Sequence, residues 1–477
     1  MLFNSINFVL FLPFVFLMFW FLSNGKIKIQ NYILLISSYY FYSCWDVRFL
    51  ILLIFSTFID YISGIKISRV FGQRKKIWFY ISIIINIGFL GFFKYYNFFI
   101  ESFQETLHQL GVNFNPWTLK IILPVGISFY TFHGLSYVID IYKGRIKPEY
   151  NFINYSVFVS FFPLLVAGPI ERASHLLPQI KKIKVFDYSM AYVGLKQILW
   201  GLFKKVVIAD QCSEYANLIF TNYSDYSGST LYIGAMFFTF QIYGDFSGYS
   251  DIALGSAKLF GINLLKNFSF PYFSRDIPEF WRRWHISLSS WFRDYLYIPL
   301  GGSKVNIFKK IRNIFIIFIV SGFWHGANWT FIFWGALNAF FMLPYILFNS
   351  NRTNIKIVAL GKNTPSFREF FSILFTFNLI ICLWIFFRAY NLNHAFQILS
   401  IIFSPTFFTL PTVLPIELFI LIIIFIFIEW LGRESDFAIE KIDHNVFKIF
   451  KWMFYYLIVF MVIYYSGSEQ KFIYFQF

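Results

Sequence analysis

Long apolar runs separated by short polar loops set the hydrophobic pattern of this chain. A helix needs about 20 apolar residues to cross the hydrocarbon core of a bilayer, and we expect roughly eleven spanning helices on that criterion. The apolar segments are Ile6–Leu22, Ile33–Cys44, Phe49–Ile65, Ile77–Phe93, Leu119–Tyr142, Phe152–Val166, Met190–Ile208, Leu231–Leu254, Ile314–Phe348, Phe370–Phe387, Leu418–Trp430 and Met453–Tyr465. One of them is expected to be interfacial or re-entrant. The pattern predicts an all-α polytopic membrane protein, folded as a single integral-membrane domain over residues 1–477.

The segment 314–348 is too long for one helix that stands upright in a bilayer. As a single helix it would run about 50 Å, whereas the hydrocarbon core is roughly 30 Å thick. It must therefore break, tilt steeply or form a hairpin, and Gly322 to Gly326 is the natural place for a break. This prediction places His325 at a helix interruption inside the membrane. A second interruption is predicted at 162–172, where two prolines and a glycine enter an apolar run.

Composition agrees with a membrane protein and limits the partners. The chain is 58% hydrophobic and only 13% charged, whereas roughly a quarter of the residues of a soluble domain are charged. The net charge of +16 comes from short Lys and Arg clusters between apolar segments, which is the pattern of cytoplasmic loops. We therefore expect membrane lipid around the chain and no nucleic acid as a partner. The basic loops 275–312 and 352–368 are predicted to be cytoplasmic, and the N-terminus is predicted to lie outside.

Tryptophan, charge and two histidines are concentrated between residues 279 and 338, which we interpret as the catalytic core. Trp281, Trp284, Leu288, Trp291 and Tyr295 recur at spacings of three and four, which predicts one amphipathic helix. His285 joins its aromatic face. His325 follows 325 − 285 = 40 positions later, between Gly322 and Gly326.

His325 is the first candidate for catalysis. An ionisable side chain within a membrane is a functional-site hypothesis by default, and burial favours the neutral imidazole that can accept a proton. Asn328 is positioned to fix its tautomer, and Trp324 is expected to support it. The alternative is a core histidine whose hydrogen bonds a neighbouring helix satisfies.

Two interpretations are open for His285, because three arginines and an aspartate lie in the same segment of the chain. In the functional reading, Arg282, Arg283 and Arg293, with Asp294 in support, bind an anionic donor such as the phosphates of an acyl-CoA. In the alternative, the helix simply lies at the level of the lipid headgroups.

Asp245 and Asp251 lie in the apolar segment 231–254, beside Gly244 and Gly248. Carboxylates at such positions need partners. Ion pairs with the arginines of 282–293 are the favoured interpretation, ahead of direct catalysis. The three cysteines are widely spaced, and no His/Cys cluster has metal-ligand spacing.

These motifs together resemble the membrane-bound O-acyltransferase superfamily (MBOAT), and within it the bacterial alginate O-acetyltransferase (AlgI-like) branch. The resemblance rests on motifs along the whole chain: Pro163 with Ala167 to Ile170 (AGPI), Gly244 to Asp251 (GDFSGYSD), Phe280 to Ser289 (FWRRWHISLS), Arg293 to Gly302 (RDYLYIPLGG), Ser321 to Trp329 (SGFWHGANW) and Phe472 to Phe477 (FIYFQF).

The resemblance implies a helical bundle with re-entrant and amphipathic helices around a central tunnel, which Gly322 and Gly326 are expected to line. It implies that His325 is the catalytic histidine and His285 a second catalytic position. No cofactor or metal is expected to be bound, and acetyl-CoA is the implied acyl donor. The implied acceptor is an extracytoplasmic polysaccharide such as alginate, reached through a separate SGNH or esterase-like partner protein, in the bacterial inner (cytoplasmic) membrane.

Two alternatives stay open at this point. The related D-alanyl transfer proteins of teichoic acid modification share the histidine region, so the acyl group is open. A flippase or transporter of a polyprenol-linked sugar would instead use Asp245, Asp251 and His325 as a relay, although the sequence shows no repeat symmetry.

Overall fold

The structure, a computed structural model, describes residues 1–113, 118–119, 121–166, 168–442, 447–467 and 472–473. Within those ranges the regular structure is helical and no strand occurs, which confirms the all-α prediction. Ala167 of the AGPI motif and residues 474–477 of the C-terminal motif lie outside the described residues.

Twenty α-helices occur in the described ranges. The first ten are α1 (Ile6–Leu17), α2 (Ile27–Ser43), α3 (Val47–Arg69), α4 (Gly72–Leu90), α5 (Tyr96–Gln109), α6 (Ile127–Tyr142), α7 (Phe152–Ser160), α8 (Phe162–Leu165), α9 (Ala173–Ile180) and α10 (Tyr188–Leu202). The others are α11 (Asp210–Thr221), α12 (Gly228–Leu259), α13 (Ile277–Arg283), α14 (Ile286–Phe292), α15 (Ile307–His325), α16 (Trp329–Leu347), α17 (Phe367–Arg388), α18 (Leu392–Ile402), α19 (Ile416–Gly432) and α20 (Lys448–Tyr464). Several helices continue as π-helical turns, at Met18–Leu22, Gly91–Tyr95, Phe203–Ala209 and Arg293–Tyr297.

Four helical stretches are long and apolar enough to cross a membrane. They are Val47–Arg69, Gly72–Gln109, Trp329–Leu347 and Phe367–Arg388, and Ile6–Leu22 and Leu392–Ile402 are shorter apolar helices. The total of about eleven spans is therefore not confirmed and stays a prediction. Part of the shortfall is physical, because several apolar runs are divided between short helices. The run 152–166, for example, becomes α7 and α8, with Pro163 in the first turn of α8.

The described residues pack as two compact units. The first comprises 1–194 and 256–265, and the second comprises 195–255 and 266–477. In the first unit, α3, α4 and α6 meet around the buried Asp60, which accepts hydrogen bonds from Ser82 Oγ (2.6 Å) and Asn86 Nδ2 (2.8 Å). All the residues of the predicted catalytic core, 279–338, belong to the second unit.

A helical hairpin dominates the catalytic stretch of the second unit. The predicted break in 314–348 is confirmed, since α15 ends at His325 and α16 begins at Trp329. The two helices approach closely because they meet at glycines. A Cβ on Gly322 would lie 2.1 Å from Phe331 O, and one on Gly335 would lie 2.2 Å from Phe318 O.

Helix α17 runs antiparallel to α16 and completes a three-helix layer. Its rings meet those of α16 in order, Phe387 against Phe331 (4.8 Å between centroids) and Trp384 against Trp334 (5.5 Å). The turn after α15 and the end of α17 therefore lie at the same end of this layer. At its other end lie the start of α15, with Lys309 and Lys310, and the start of α17, where Arg275 pairs with Glu369.

The amphipathic helix predicted over 281–295 is wrong as a single element. Helix α13 ends at Arg283, and α14 begins at Ile286. Between them His285 adopts left-handed backbone angles, φ 44° and ψ 54°. Aromatic periodicity continues across this break because both short helices bury one face, so spacing alone does not reveal it.

Candidate active site

His285 and His325 lie together in the second unit. Their ring centroids are 6.4 Å apart with an interplanar angle of 57°. His325 is the last residue of α15, and His285 occupies the break between α13 and α14. Both side chains are buried, with 3% and 1% of their surface exposed. The structure thus brings the two candidate catalytic residues into one site.

Aromatic rings enclose His325 on several sides. Trp324, Phe387 and Trp334 place their ring centroids 4.9, 5.2 and 5.5 Å from its imidazole. Rings at these distances leave little room for bulk water around the imidazole. Trp324 also lies 5.9 Å from His285, so its indole packs against both histidines.

His285 is held in a strained position without hydrogen bonds to its ring. Left-handed backbone angles in a residue other than glycine cost on the order of 1–3 kcal/mol and cluster at active sites. Neither ring nitrogen has a hydrogen-bond partner among the described residues, although the Phe246 ring packs against the imidazole at 4.7 Å. Burial lowers the pKa of His285 to about 3. The ring is therefore neutral and offers one N–H donor and one acceptor to a bound molecule.

Tryptophans form the scaffold behind the histidines. Trp284 packs against Trp384 (5.0 Å), which stacks on Trp334 (5.5 Å). Trp281 packs on Trp334 at 5.6 Å, and its Nε1 donates to Asn338 Oδ1. The periodic tryptophans found in the sequence therefore fix the break at His285 against α16 and α17.

Asn328 does not hold the imidazole of His325, contrary to the prediction. Its Oδ1 accepts a hydrogen bond from Thr330 N (3.0 Å), which caps α16, and its Nδ2 donates to Tyr390 O (2.9 Å). The helix ends at His325, so Asn328 is not one helical turn further along it. Asn328 instead ties the turn after α15 to the end of α17.

The tunnel prediction requires Gly322 and Gly326 to border open space, but they do not. A Cβ on Gly326 would lie 2.0 Å from the Phe331 ring, and one on Gly322 would meet Phe331 O. Both positions are occupied by α16 because the hairpin is tightly packed. Their small size serves helix packing.

Asp245 and Asp251 pair with lysines and not with the arginines of 282–293. Lys205 Nζ lies 2.7 Å from Asp245 Oδ1, and Lys204 Nζ lies 2.5 Å from Asp251 Oδ2. Both lysines lie on the π-helical turn 203–209, which packs alongside α12. Asp245 is one residue before Phe246, the ring that contacts His285, so this pairing supports the wall of the site.

The sequence analysis missed Lys204, Lys205 and the buried Glu429 of α19. Glu429 accepts hydrogen bonds from Tyr243 Oη (2.6 Å) and Trp200 Nε1 (3.2 Å). The available signal was the same for all three, namely a charged residue inside an apolar segment.

The predicted donor-binding arginines separate into two groups. Arg283 is buried and pairs with Glu279 (2.9 Å), so its charge is already used within the fold. Arg282 is exposed and donates to Asn351 O and Asn354 O. Arg293 is exposed and pairs with Asp294 (2.8 Å). Only Arg282 and Arg293 therefore present guanidinium groups at the surface.

No group of three or more His, Cys, Asp or Glu side chains able to hold a metal ion occurs in the described part of the chain.

Comparison with known proteins decides the family. The sequence model of MBOAT, the membrane-bound O-acyltransferase family, matches residues 145–390, which include both histidines and the hairpin. The chain belongs to the membrane-bound O-acyltransferase family. It is therefore an O-acyltransferase and a multi-pass membrane protein.

Individual relatives agree with this assignment. The chain is 39% identical over 410 residues to the probable alginate O-acetylase AlgI of Pseudomonas aeruginosa, covering 85% of this chain and 75% of that protein. It is 36% identical over 394 residues to the peptidoglycan O-acetyltransferase of Helicobacter pylori, covering 77% and 72%. It is 30% identical over 240 residues to the teichoic acid D-alanyltransferase of Bacillus subtilis, covering 48% and 60%.

Proposed function

We propose that this membrane-bound O-acyltransferase is an O-acetyltransferase of the bacterial inner membrane. It takes acetyl from cytoplasmic acetyl-CoA and delivers it for O-acetylation of an extracytoplasmic polysaccharide such as alginate. The pair of buried histidines, 6.4 Å apart inside an aromatic enclosure, carries this proposal. Relatives of the acetyl-transfer kind match a larger share of the chain than the D-alanyl relative, which supports acetyl as the transferred group.

His325 acts as the general base in this proposal. It takes the proton from the acceptor hydroxyl as the oxygen attacks the thioester carbonyl. The attack forms a new C–O bond, which becomes the ester bond of the product. The C–S bond then breaks, and the proton passes from His325 to the departing thiolate. A well-placed general base contributes about 10²- to 10⁴-fold to the rate.

His285 is suited to stabilise the tetrahedral intermediate. Its neutral ring has one N–H that no described residue engages, and the ring is held rigidly by its backbone and by Phe246. A preorganised donor aimed at the developing oxyanion contributes roughly 10²- to 10³-fold. In this proposal His325 is the base, and His285 donates the hydrogen bond to the oxyanion.

The hairpin suggests how two substrates from opposite sides can meet. Lys309, Lys310 and Arg312 lie in the first turns of α15, at the predicted cytoplasmic end. From Asn313 to His325 the helix rises about 20 Å, which is past the middle of a hydrocarbon core of roughly 30 Å. The donor enters from the basic end, where the side chains of Arg282 and Arg293 are exposed, and the acceptor enters from the far end.

The acceptor hydroxyl belongs to the polysaccharide itself or to a serine of a separate extracytoplasmic SGNH or esterase-like protein that passes the acetyl group on. Relatives named for alginate, peptidoglycan and teichoic acid support a cell-envelope polymer as the final acceptor.

The test uses the purified chain in lipid nanodiscs with radiolabelled acetyl-CoA or a D-alanyl thioester as donor. We expect acetyl transfer to oligosaccharides or to the partner protein, and no D-alanyl transfer. If the chain uses only the D-alanyl donor, the transferred group is D-alanine and not acetyl. If neither donor reacts, the proposed acetyl donor is wrong. Acetyl analysis of surface glycans in a deletion strain identifies the polymer.

A further inference from the structure

A short irregular segment of the second unit packs against the chain on both sides of His285. It comprises Asn267, Phe268 and Ser269, which follow α12 and precede α13, and we call it the clamp segment. Asn267 and Phe268 are buried, with 1% and 8% of their surface exposed. Buried backbone in an irregular segment must find hydrogen-bond partners within the protein, and the clamp segment finds two of them in the chain around His285.

Two backbone hydrogen bonds join the clamp segment to the chain that flanks His285. Ser269 N donates to Arg283 O (3.0 Å), and Ile286 N donates to Asn267 O (2.8 Å). Because peptide bonds are planar, these bonds fix one peptide plane before His285 and the plane directly after it. A residue other than glycine keeps left-handed backbone angles only where the surrounding structure imposes them, and these two bonds impose them on His285.

The Asn267 side chain ties the same region to α12. Its Oδ1 accepts a hydrogen bond from Ser287 Oγ (2.5 Å), in the first turn of α14, and its Nδ2 donates to Ser250 Oγ of α12 (3.1 Å). Helix α12 is 32 residues long and provides a firm anchor for this amide. One buried side chain therefore connects a long helix to the turn that begins directly after His285.

Phe268 supports the imidazole of His285 through a second ring. The Phe246 ring, which contacts His285 at 4.7 Å, meets the Phe268 ring edge-on at 4.9 Å. Phe268 also packs on Trp284, the residue before His285, at 5.0 Å. The clamp segment therefore acts on His285 in two ways, through the backbone on either side of it and through the ring that packs on its imidazole.

We propose that Asn267 is a positioning residue for acyl transfer, which holds the His285 imidazole in the orientation that directs its N–H at the oxyanion. This inference rests on the proposed function of His285. Neither nitrogen of the His285 ring has a hydrogen-bond partner among the described residues, so the ring takes its orientation from its backbone and its packing. A displacement of about 1 Å from the productive geometry lowers a rate by about 10²-fold, which makes that orientation important.

Histidine NMR tests the positioning without an assay of activity. The full chain in nanodiscs is isotope-labelled at the imidazole carbons of its 7 histidines, and the His285 signal is identified by its loss in His285→Asn. We expect Asn267→Ala to shift or broaden that signal, because the ring then adopts several orientations. The signal of His108, which is exposed on α5, should not change. An unchanged His285 signal in the folded Asn267→Ala protein overturns the inference.

Kinetics of single and double variants test whether Asn267 acts through His285. Asn267→Ala should lower kcat about tenfold or more while KM for acetyl-CoA stays within about twofold of wild type, because the lost interaction matters only in the transition state. His285→Ala removes the ring that is positioned, so adding Asn267→Ala to it should lower kcat by less than about twofold further. Losses that multiply in the double variant would show that Asn267 acts on the protein as a whole, and would overturn the inference.

Two further variants keep the test decisive. Asn263→Ala makes the same change at an exposed asparagine in the same connection between α12 and α13, and it should match the wild type in both measurements. Ser287→Ala removes the donor to Asn267 Oδ1 and takes the place of Asn267→Ala if that variant does not fold. An unchanged His285 signal in Ser287→Ala then overturns the inference. If the wild-type chain transfers no acetyl group, the proposed function fails, and the NMR comparison still decides whether Asn267 positions His285.

Discussion

The imidazole rings of His285 and His325 lie 6.4 Å apart, although they stand at the ends of separate helices. A break at His285 and the end of α15 at His325 make this approach possible. A substrate carbonyl between the rings can meet a base on one side and a hydrogen-bond donor on the other. Trp324 contacts both rings and fixes their spacing.

His285→Asn tests the oxyanion role without disturbing the backbone. Asparagine tolerates left-handed backbone angles and keeps an N–H donor, whereas alanine keeps the strain and loses the donor. We expect His285→Ala to lower kcat about 10²- to 10³-fold and His285→Asn to retain more activity than alanine. Equal activity of His285→Ala and the wild type would show that the ring takes no part in the reaction.

Acid stability should report the burial of His285. Its pKa falls from the ordinary value near 6.5 to about 3 in the folded chain, so below pH 6.5 the unfolded chain binds more protons. Stability therefore decreases as the pH falls from about 6.5 towards 3, by at most about 1.4 kcal/mol per pH unit from this group.

Thermal unfolding in detergent at pH 7, 6, 5 and 4 measures this effect. Because other groups titrate too, the comparison is with His285→Asn, which lacks the imidazole. The wild type should lose more stability than the variant between pH 6 and 4. Parallel curves would mean that His285 is solvated or protonated in the folded chain.

Gly322 provides a test of hairpin packing. A Cβ there would collide with Phe331 O of α16, and forced overpacking costs about 1–3 kcal/mol. We expect Gly322→Ala to lower thermal stability and to lower activity along with it. Gly88→Ala in α4 is the control, because nothing lies within 4 Å of its Cβ position. If the Gly322→Ala protein keeps wild-type stability and loses only transfer, packing is not the role of Gly322 and the prediction that it lines a tunnel holds.

Lys205 and Asp245 form a buried ion pair. Removing one partner should cost more stability than changing both. Removing one partner from such a pair leaves an uncompensated charge and costs about 3–5 kcal/mol. Lys205→Met should therefore reduce the yield of folded protein sharply. Adding Asp245→Asn should recover part of the loss, since Lys205 also pairs with Asp210. A double variant no more stable than Lys205→Met would show that Asp245 is not the partner that matters.

Sidedness can be tested at Ser303, an exposed residue of the basic loop 275–312. In a variant without the three native cysteines, Ser303→Cys should react with an impermeant maleimide only when the cytoplasmic face is accessible. The basic loop charge is the reason for this expectation. Labelling of intact spheroplasts from outside would reverse the topology and the side of donor entry.

Sequence patterns correctly predicted the all-helical fold and the break before Trp329, and they singled out two histidines that the structure places together. They were insufficient where the outcome depends on partners distant in the chain. Lys205 and Asp245 are 40 positions apart (245 − 205), and nothing local pairs them, so the arginines of 282–293 were the wrong choice. Periodicity also cannot show the backbone angles of His285, and a glycine in a sequence does not reveal whether Phe331 fills the space beside it.

The central claim is that His325 is the base of acyl transfer, and single-turnover transfer by His325→Ala tests it most directly. His108→Ala, at an exposed histidine of α5, is the control for loss of an imidazole, and thermal unfolding checks that both variants are folded. We predict that the folded His325→Ala protein binds acetyl-CoA but transfers acetyl at least about 10²-fold more slowly than the wild type, while His108→Ala matches the wild type. Transfer by well-folded His325→Ala at a rate near that of the wild type would contradict the account.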